Sequence, residues 1–564
     1  VTSFASGVAR AAPKLDTDRI AVAALAVAVV APLLVFVVAP LVVILQASFV
    51  TADGIGLGNY VRYIQSPKFA RVVGNSLTVS ATTTAITVLL AYGFAYAMRR
   101  TAMPMKGVLG SVALLPLFAP SLLQALGIVF MFGRNGVINR TFDLGIDIYG
   151  FWGIVISDVF YSFPHAYLIL SAALAIADAR LYESAQVLGA SAGRMFRDVT
   201  LPSTKYGILS ATFVVFTIVI TDFGNPMVIG GDYNVLATEI YNQVSGQGNF
   251  QMGAVIGVML LVPAALAVVA EKWIMRRHHA AITERSQPLV IVRERWRDRA
   301  AFALALSVCA MIAAIVLVVV VASFVTLWPY NLHTSLRHYR FEVQNGIQPL
   351  WTSIGVSLMA AAVGVVVAIA GGCVTRRLRG AAGQLLYFLS ILPAAVPGMV
   401  LGLGYILVFN DPGNPLEFLY GTLVILAVCN VYHYHAQGYL IAMTSINQIS
   451  RVFDEASTSL GGSFVKTLRA VILPIIAPSI VSVGVFFFVR SMVTLSAAIF
   501  LVTPATQVAA VSVLLLDDAG NQNQAAAFSV CIMIVVGATL GLFQLLLRMS
   551  GWRDVSLIHG SSHA

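Results

Sequence analysis

The sequence predicts an all-α polytopic membrane protein of about 12 transmembrane helices, arranged as two parallel six-helix repeats. Three observations carry that prediction. Of the 564 residues, 59% are apolar and only 10% are charged, whereas soluble domains run at about 45–50% apolar and about 25% charged. Twelve apolar runs have bilayer length. The second six runs repeat the landmarks of the first six. So few charges cannot cover so much apolar surface in water, which excludes a soluble enzyme, a disordered chain and a fibrous protein.

A bilayer core asks for about 20 apolar residues per helix. The first six runs lie at 20–48, 73–98, 107–133, 149–175, 206–230 and 251–275. The second six lie at 301–326, 351–375, 382–409, 418–444, 475–501 and 525–547. The first run is too long for a signal peptide's apolar core and lacks a small-residue cleavage pattern, so it is expected to remain as an anchor. Cys309, Cys373, Cys429 and Cys531 fall inside apolar runs without metal-ligand spacing and read as small buried hydrophobes.

Charge sets the orientation. With the N-terminus inside, 26 of the 34 Lys and Arg residues fall in cytoplasmic segments and seven outside, while Arg490 lies within the eleventh run. Positive charge is retained on the cytoplasmic side, so both termini are expected in the cytoplasm. The formal charge of +10 thus belongs to one membrane face and points to lipid, not nucleic acid.

The duplication is legible residue by residue. Asn75-Ser76 through Arg99-Arg100 aligns with Thr352-Ser353 through Arg376-Arg377, 277 residues on. Leu115-Pro116, Pro120 and Gly127 match Leu392-Pro393, Pro397 and Gly404 at the same offset. Ala47-Ser48-Phe49-Val50-Thr51 recurs as Ala322-Ser323-Phe324-Val325-Thr326. The expected division is a first repeat over 1–275, a charged cytoplasmic linker over 276–300 and a second repeat over 301–564. Six spans is an even number, so the repeats keep one orientation. Prolines at mid-membrane free carbonyls and bend the helix, which is tolerated only against protein or a watery cavity. They fit either packing kinks or bends that line a pathway.

The strongest pattern lies in the loops after the fourth and tenth runs. The first reads Glu183-Ser184-Ala185, three residues, Gly189, nine residues, then Val199-Thr200-Leu201-Pro202. The second reads Glu455-Ala456-Ser457, three residues, Gly461, nine residues, then Val471-Ile472-Leu473-Pro474, each position 272 residues on. Small residues permit close approach, glycine permits a sharp turn, and proline suits the first turn of a re-entering helix. The pattern resembles the EAA loop of binding-protein-dependent ABC importer permeases, with Ser184 and Ser457 each replacing an alanine. In that family the loop forms a coupling helix that docks on an ATPase subunit. The resemblance covers about 70–275 and 350–547, with one extra leading helix per half. It implies two copies of an ABC ATPase, an extracytoplasmic substrate-binding protein docking on outer loops near 231–250 and 502–524, and an inner-membrane location. No G-x-x-x-x-G-K-[ST] occurs in the chain. No cofactor is therefore expected here, with ATP and magnesium on the partner ATPase and no enzyme activity in this chain.

Carrying both halves on one chain resembles the fused permeases of 2-aminoethylphosphonate and ferric iron importers. Phe132-Gly133-Arg134-Asn135-Gly136, Tyr149-Gly150-Phe151-Trp152-Gly153, Thr494 through Leu501 and Leu516-Asp517-Asp518-Ala519-Gly520 are similar to the phosphonate branch. Thr221-Asp222-Phe223-Gly224 is similar to the ferric branch, which stays open as the alternative.

Intramembrane charge adds a physical argument. An ionised group at mid-span is costly unless paired or lining water. Arg490 stands where the first half has Ile218, and Asp222 and Asp158 are two further intramembrane charges. Arg490 either faces the pathway and meets a phosphonate, with Asp222 meeting its ammonium, or forms a structural ion pair with Asp158 or Asp222. Gln124, beside Pro120, is a further pathway candidate. His433 and His435 point about 200° apart on a helix, so they are expected as interhelical hydrogen bonders and not as metal ligands. A 6+6 secondary transporter shares the duplication, but its long patterned loop would fall elsewhere. No nucleophile–base set supports a membrane enzyme.

Overall fold

A computed structural model describes residues 14–176, 179–278, 291, 293–341, 345–378, 380–450 and 452–549. Every apolar run carries helix. The principal helices are α1 (Asp18–Phe49), α2 (Pro67–Arg100), α3 (Leu122–Phe132), α4 (Phe151–Ala175), α5 (Ala192–Ile220) and α6 (Phe250–Ile274). They continue as α7 (Arg295–Phe324), α8 (Gln348–Arg377), α9 (Gly398–Phe409), α10 (Leu423–Asn447), α11 (Ala477–Val493) and α12 (Gln522–Met549). Among the described residues nine helices are long and apolar enough to cross a membrane, or eleven if two bent pairs each count as one span. That falls short of the expected twelve at α10, where Asn430, His433, His435 and Gln437 interrupt the apolar run. Protein covers most of α10, so it does not need a lipid-facing surface. Elsewhere Leu89, Leu266, Leu317, Val366 and Ile534 are more than half exposed on helix faces, as a bilayer solvent requires. Most of the expected linker lies outside the described residues, and its last part, from Arg295, already belongs to α7.

The proline pairs break helices outright. The third run becomes a helix at Lys106–Ala113, a 3₁₀ turn at Leu115–Phe118, and α3. The ninth becomes Ala381–Ile391, a 3₁₀ turn at Leu392–Ala395, and α9, turned by 105°. Ala119 and Val396, each preceding a proline, are extended, because the proline ring disfavours helix at the residue before it. The halves differ at the eleventh run. Whereas α5 is continuous, its counterpart bends by 75° between Phe464–Ile475 and α11. The second half carries Pro478 as well as Pro474, where the first has Tyr206 beside Pro202.

Packing follows the duplication with one exchange. Helix α2 packs on α4 and α5, and α8 packs on α10 and α11. Each leading helix crosses to the other half: α1 lies on α8 and α9, and α7 lies on α2 and α3. Both crossings close on the glycines matched in sequence. A Cβ at Gly127 would sit 2.7 Å from Ile315 Cγ2 and the Ile315 carbonyl, and one at Gly404 would sit 2.8 Å from Pro40 Cβ. Glycine lets the backbones approach where lipid offers no hydrophobic drive. The halves of the sequence are therefore not self-contained in space.

At the end opposite the patterned loops, two β hairpins (Val50–Thr51 with Gly54–Ile55, Val325–Leu327 with Asn331–Thr334) follow α1 and α7. There Ser76 Oγ accepts from the Leu236 N–H and Ser353 Oγ from the Ala509 N–H, both at 2.7 Å. These bonds satisfy orphan donors at the starts of two buried short helices, Leu236–Tyr241 and Ala509–Asp518. At the end of the second short helix, burial pushes the Asp517 carboxyl up from its ordinary 3.8 to about 6. A hydrogen bond from Gln522 opposes the shift and the Asp518 charge adds to it.

Gly127→Leu and Gly404→Leu are each expected to cost at least about 1–3 kcal/mol through overpacking, read as a lower unfolding midpoint in detergent. Gly107→Leu, where a Cβ meets nothing within 4 Å, is the control. Asp517 holds its proton more tightly folded than unfolded, so its contribution to stability falls as pH rises from 3.8 through about 6. Asp517→Asn should raise the melting temperature at pH 7.5, with the gain vanishing near pH 4. A gain independent of pH would contradict the assignment.

Candidate functional site: coupling loops and seam

The two patterned loops adopt the same structure. Helices Ala179–Val187 and Val452–Ser459 end at Gly189 and Gly461, whose φ values are +71° and +72°. That left-handed conformation strains a residue with a Cβ, which accounts for the glycine in each loop. Ser191 and Ser463 then cap the next turns, accepting from Arg194 N at 3.4 Å and Lys466 N at 3.3 Å. Leu201-Pro202 opens the transmembrane part of α5, and Leu473-Pro474 opens the bent counterpart.

Glu183, Ser184, Glu455 and Ala456 are exposed, and Ala185 and Ser457 are half-buried. Ser457 Oγ pairs with Thr467 Oγ1 at 2.6 Å, while Ser184 Oγ donates to the Arg180 carbonyl at 2.8 Å. Beside the glycines, Val187, Leu188 and Leu460 are exposed at 88%, 83% and 89%.

The membrane charges form a second constellation, at the seam between the halves. Arg490 on α11 places its guanidinium 4.9 Å from the centroid of Tyr434 on α10. Its charge also reaches His433 on α10 and Tyr161 and His165 on α4. Tyr161, His165, His433 and Arg490 are half-buried and Gln437 is exposed. Among the described residues no ion pair includes Arg490. The expected structural ion pair with Asp158 or Asp222 is absent.

Those two carboxylates serve the break after α5. Asp222 Oδ2 accepts from Asn225 N at 3.0 Å, and Asn225 Nδ2 donates to Asp158 Oδ1 at 2.8 Å. Asn225 Oδ1 in turn accepts from Ala125 N at 3.2 Å. Asp158 is fully buried and Asp222 nearly so, and Asp222 is engaged in the turn. Gln124 is likewise buried, and with its amide oxygen and nitrogen exchanged the nitrogen donates to the carbonyls of Pro120 and Ser121. Those carbonyls already accept from Leu123 N at 3.0 Å and Gln124 N at 3.3 Å, so the side chain adds a second bond at the start of α3. His435 has no hydrogen-bond partner on either ring nitrogen and stacks on Tyr439, contrary to the expected interhelical hydrogen bond.

Several residues escaped the sequence reading. Tyr161 and His165 stand 272 residues before His433 and Gln437, the loop offset carried one helix back. That matched spacing was the available signal. Tyr182 and Asp454, each preceding a loop glutamate, also occupy matched positions but differ in chemistry.

Comparison with known proteins gives the family. The family model of the binding-protein-dependent transport system inner membrane component matches residues 93–279. The ferric transport system permease protein FbpB of Actinobacillus pleuropneumoniae is 28% identical over 507 residues, covering 86% of this chain and 72% of that protein. A putative ferric transport system permease protein, FbpB 1 of Haemophilus influenzae, is 28% identical and covers 82% of this chain and 74% of its own length. The putative ferric transport system permease-like protein AfuB of Escherichia coli is 36% identical over 103 residues, 18% of this chain and 86% of that relative. The 6+6 secondary transporter is thereby set aside, and the chain belongs to the inner-membrane components of binding-protein-dependent transport systems, the permease subunits of ABC importers, in which a separate subunit hydrolyses ATP.

Proposed function

We propose that this permease imports 2-aminoethylphosphonate or a closely related phosphonate. The observation behind the substrate class is Arg490, a half-buried cation inside a transmembrane helix with no ion pair among the described residues, stacked on Tyr434 at the seam. An ionised group at that depth demands a counter-charge or water, and an entering phosphonate supplies the counter-charge. Its oxygens accept from a planar guanidinium in a bidentate geometry that a lysine cannot reproduce. Tyr161, His165 and Gln437 add polar groups from both halves. Because Ile218 occupies the matched position, the site is one-sided, as an asymmetric zwitterion requires. Ferric iron is the second reading, favoured by the ferric transport permeases that this chain resembles at 28% identity.

The proposed assembly has two ATPase subunits, one on each loop, at 180–202 and 452–474. A substrate-binding protein docks at the hairpin end. The cation bias of the sequence supports placing the loop end in the cytoplasm of a bacterium and both termini on that side. ATP-driven approach of the ATPases draws the loops together and rocks the halves between inward- and outward-facing states, with the bistability residing in the packed interface. This chain contributes the pathway and the levers, and the free energy comes from the partner.

Reconstitution in nanodiscs with the ATPase and binding protein tests the reading. ATP hydrolysis is expected to rise with 2-aminoethylphosphonate and to be lost on joint Glu183→Ala and Glu455→Ala substitution. Stimulation by ferric iron alone would transfer the substrate to the second reading. Charge-assisted hydrogen bonds contribute about 1.5–3 kcal/mol, so Arg490→Leu should lower phosphonate uptake roughly ten- to a hundredfold, with Arg490→Lys intermediate. Equal uptake in both variants would remove the role of Arg490.

A further inference from the structure

The arginine pairs that end α2 and α8, matched in sequence, both reach into the coupling loop of their own half, but they grip it differently. In the first half Arg100 donates through Nη2 to the Leu174 carbonyl at 2.8 Å and lies 5.0 Å from the centroid of Tyr182. Tyr182 is buried and its hydroxyl pairs with Thr200 Oγ1 at 2.9 Å, tying the start of the loop to its end. Arg99 Nε donates to Ser171 Oγ at 2.8 Å.

In the second half the residue matched to Tyr182 is Asp454. Arg376 donates to Asp454 Oδ2 through Nε at 3.0 Å and Nη2 at 2.7 Å, and also to the carbonyls of Ile446 and Ser450. Arg377 lies 3.7 Å from Asp454 Oδ1 and stacks over Phe464. The Arg376 and Asp454 side chains are only 6% and 17% exposed. Phe464 N–H donates to Asp18 Oδ1 at 2.9 Å, so the start of α1, which belongs to the first half, is tied into the same cluster.

We propose that Tyr182 and Asp454 are positioning residues that latch each coupling loop to the closing arginines of its own second helix, by a cation–π contact in one loop and a nearly buried ion pair in the other. The latch passes loop displacement to α2 and α8, and through them to the helices packed on them. The exposed glutamates, one residue on, remain free to meet the ATPase. The two loops are consequently unequal levers. Removing one partner of a nearly buried ion pair strands the other, whereas a cation–π contact survives loss of the tyrosine hydroxyl. This inference rests on the reading of the loops as ATPase docking sites.

The test compares solute moved per ATP hydrolysed by the full permease–ATPase–binding-protein complex in liposomes, after confirming by size exclusion that each variant retains its ATPase. Asp454→Asn is expected to lower that ratio about tenfold with ATPase binding retained, and Asp454→Glu to restore most of it. Tyr182→Phe is expected to keep the ratio within about twofold, because the ring face remains, and Tyr182→Leu to lower it. A normal ratio in Asp454→Asn overturns the latch, and so does loss of ATPase binding in that variant, which would make the residue part of the docking surface. Failure of the unsubstituted permease to bind the ATPase would instead sink the docking reading itself.

Discussion

At membrane depth each backbone donor and acceptor released by a break must find a partner within the protein, and that requirement organises this structure. Helices stop at Pro116 and Pro120, at Asp222, and at Pro393 and Pro397. At the break after α5, specific side chains take up the slack. Asn225 binds Ala125 N, Asp222 caps Asn225 N, and Asp158 holds Asn225 in place. Such groups cost several kcal/mol when unpaired in hydrocarbon, so these polar residues are structural first. Arg490 has no ion pair among the described residues, and this is why the transport reading falls on it.

The same economy explains the contrast between the halves. The chain repeats one architecture, and it departs from the repeat where chemistry is needed. Arg490 replaces the position of Ile218, Asp454 that of Tyr182, and Pro478 that of Tyr206. The first change places a cation on one side of the seam, the second changes how a loop is held, and the third bends the helix behind that loop by 75°.

Much of this was legible in the sequence because it depended on local rules. Apolar run length located the helices, proline located the breaks, and the loop spacing located Gly189 and Gly461 with their positive φ. Partnership was not legible. Asp158, Asp222 and Gln124 look like pathway residues in one dimension, since a polar residue in an apolar run has the same appearance whether it faces a cavity or closes a turn. The ion pair to Arg490, one of the two arrangements the sequence left open, is not formed among the described residues. The polarity of α10 shows the converse. Hydropathy measures exposure to lipid, and a helix sheathed in protein escapes it.

The exchange of leading helices bears on how the chain is made. The groove that receives α1 is built partly from α9, about 350 residues further along the sequence. At ribosomal rates of about 5–20 residues per second, α1 waits on the order of tens of seconds in the bilayer before that surface exists. Through that interval the face of α1 that carries Pro40 and Ile44 lacks its α9 partner, while α6 of the same half, on which α1 also packs, is made before α9. Fusing the halves into one chain removes the search for a partner polypeptide but not the wait. Assembly of the first half is completed only by the synthesis of the second.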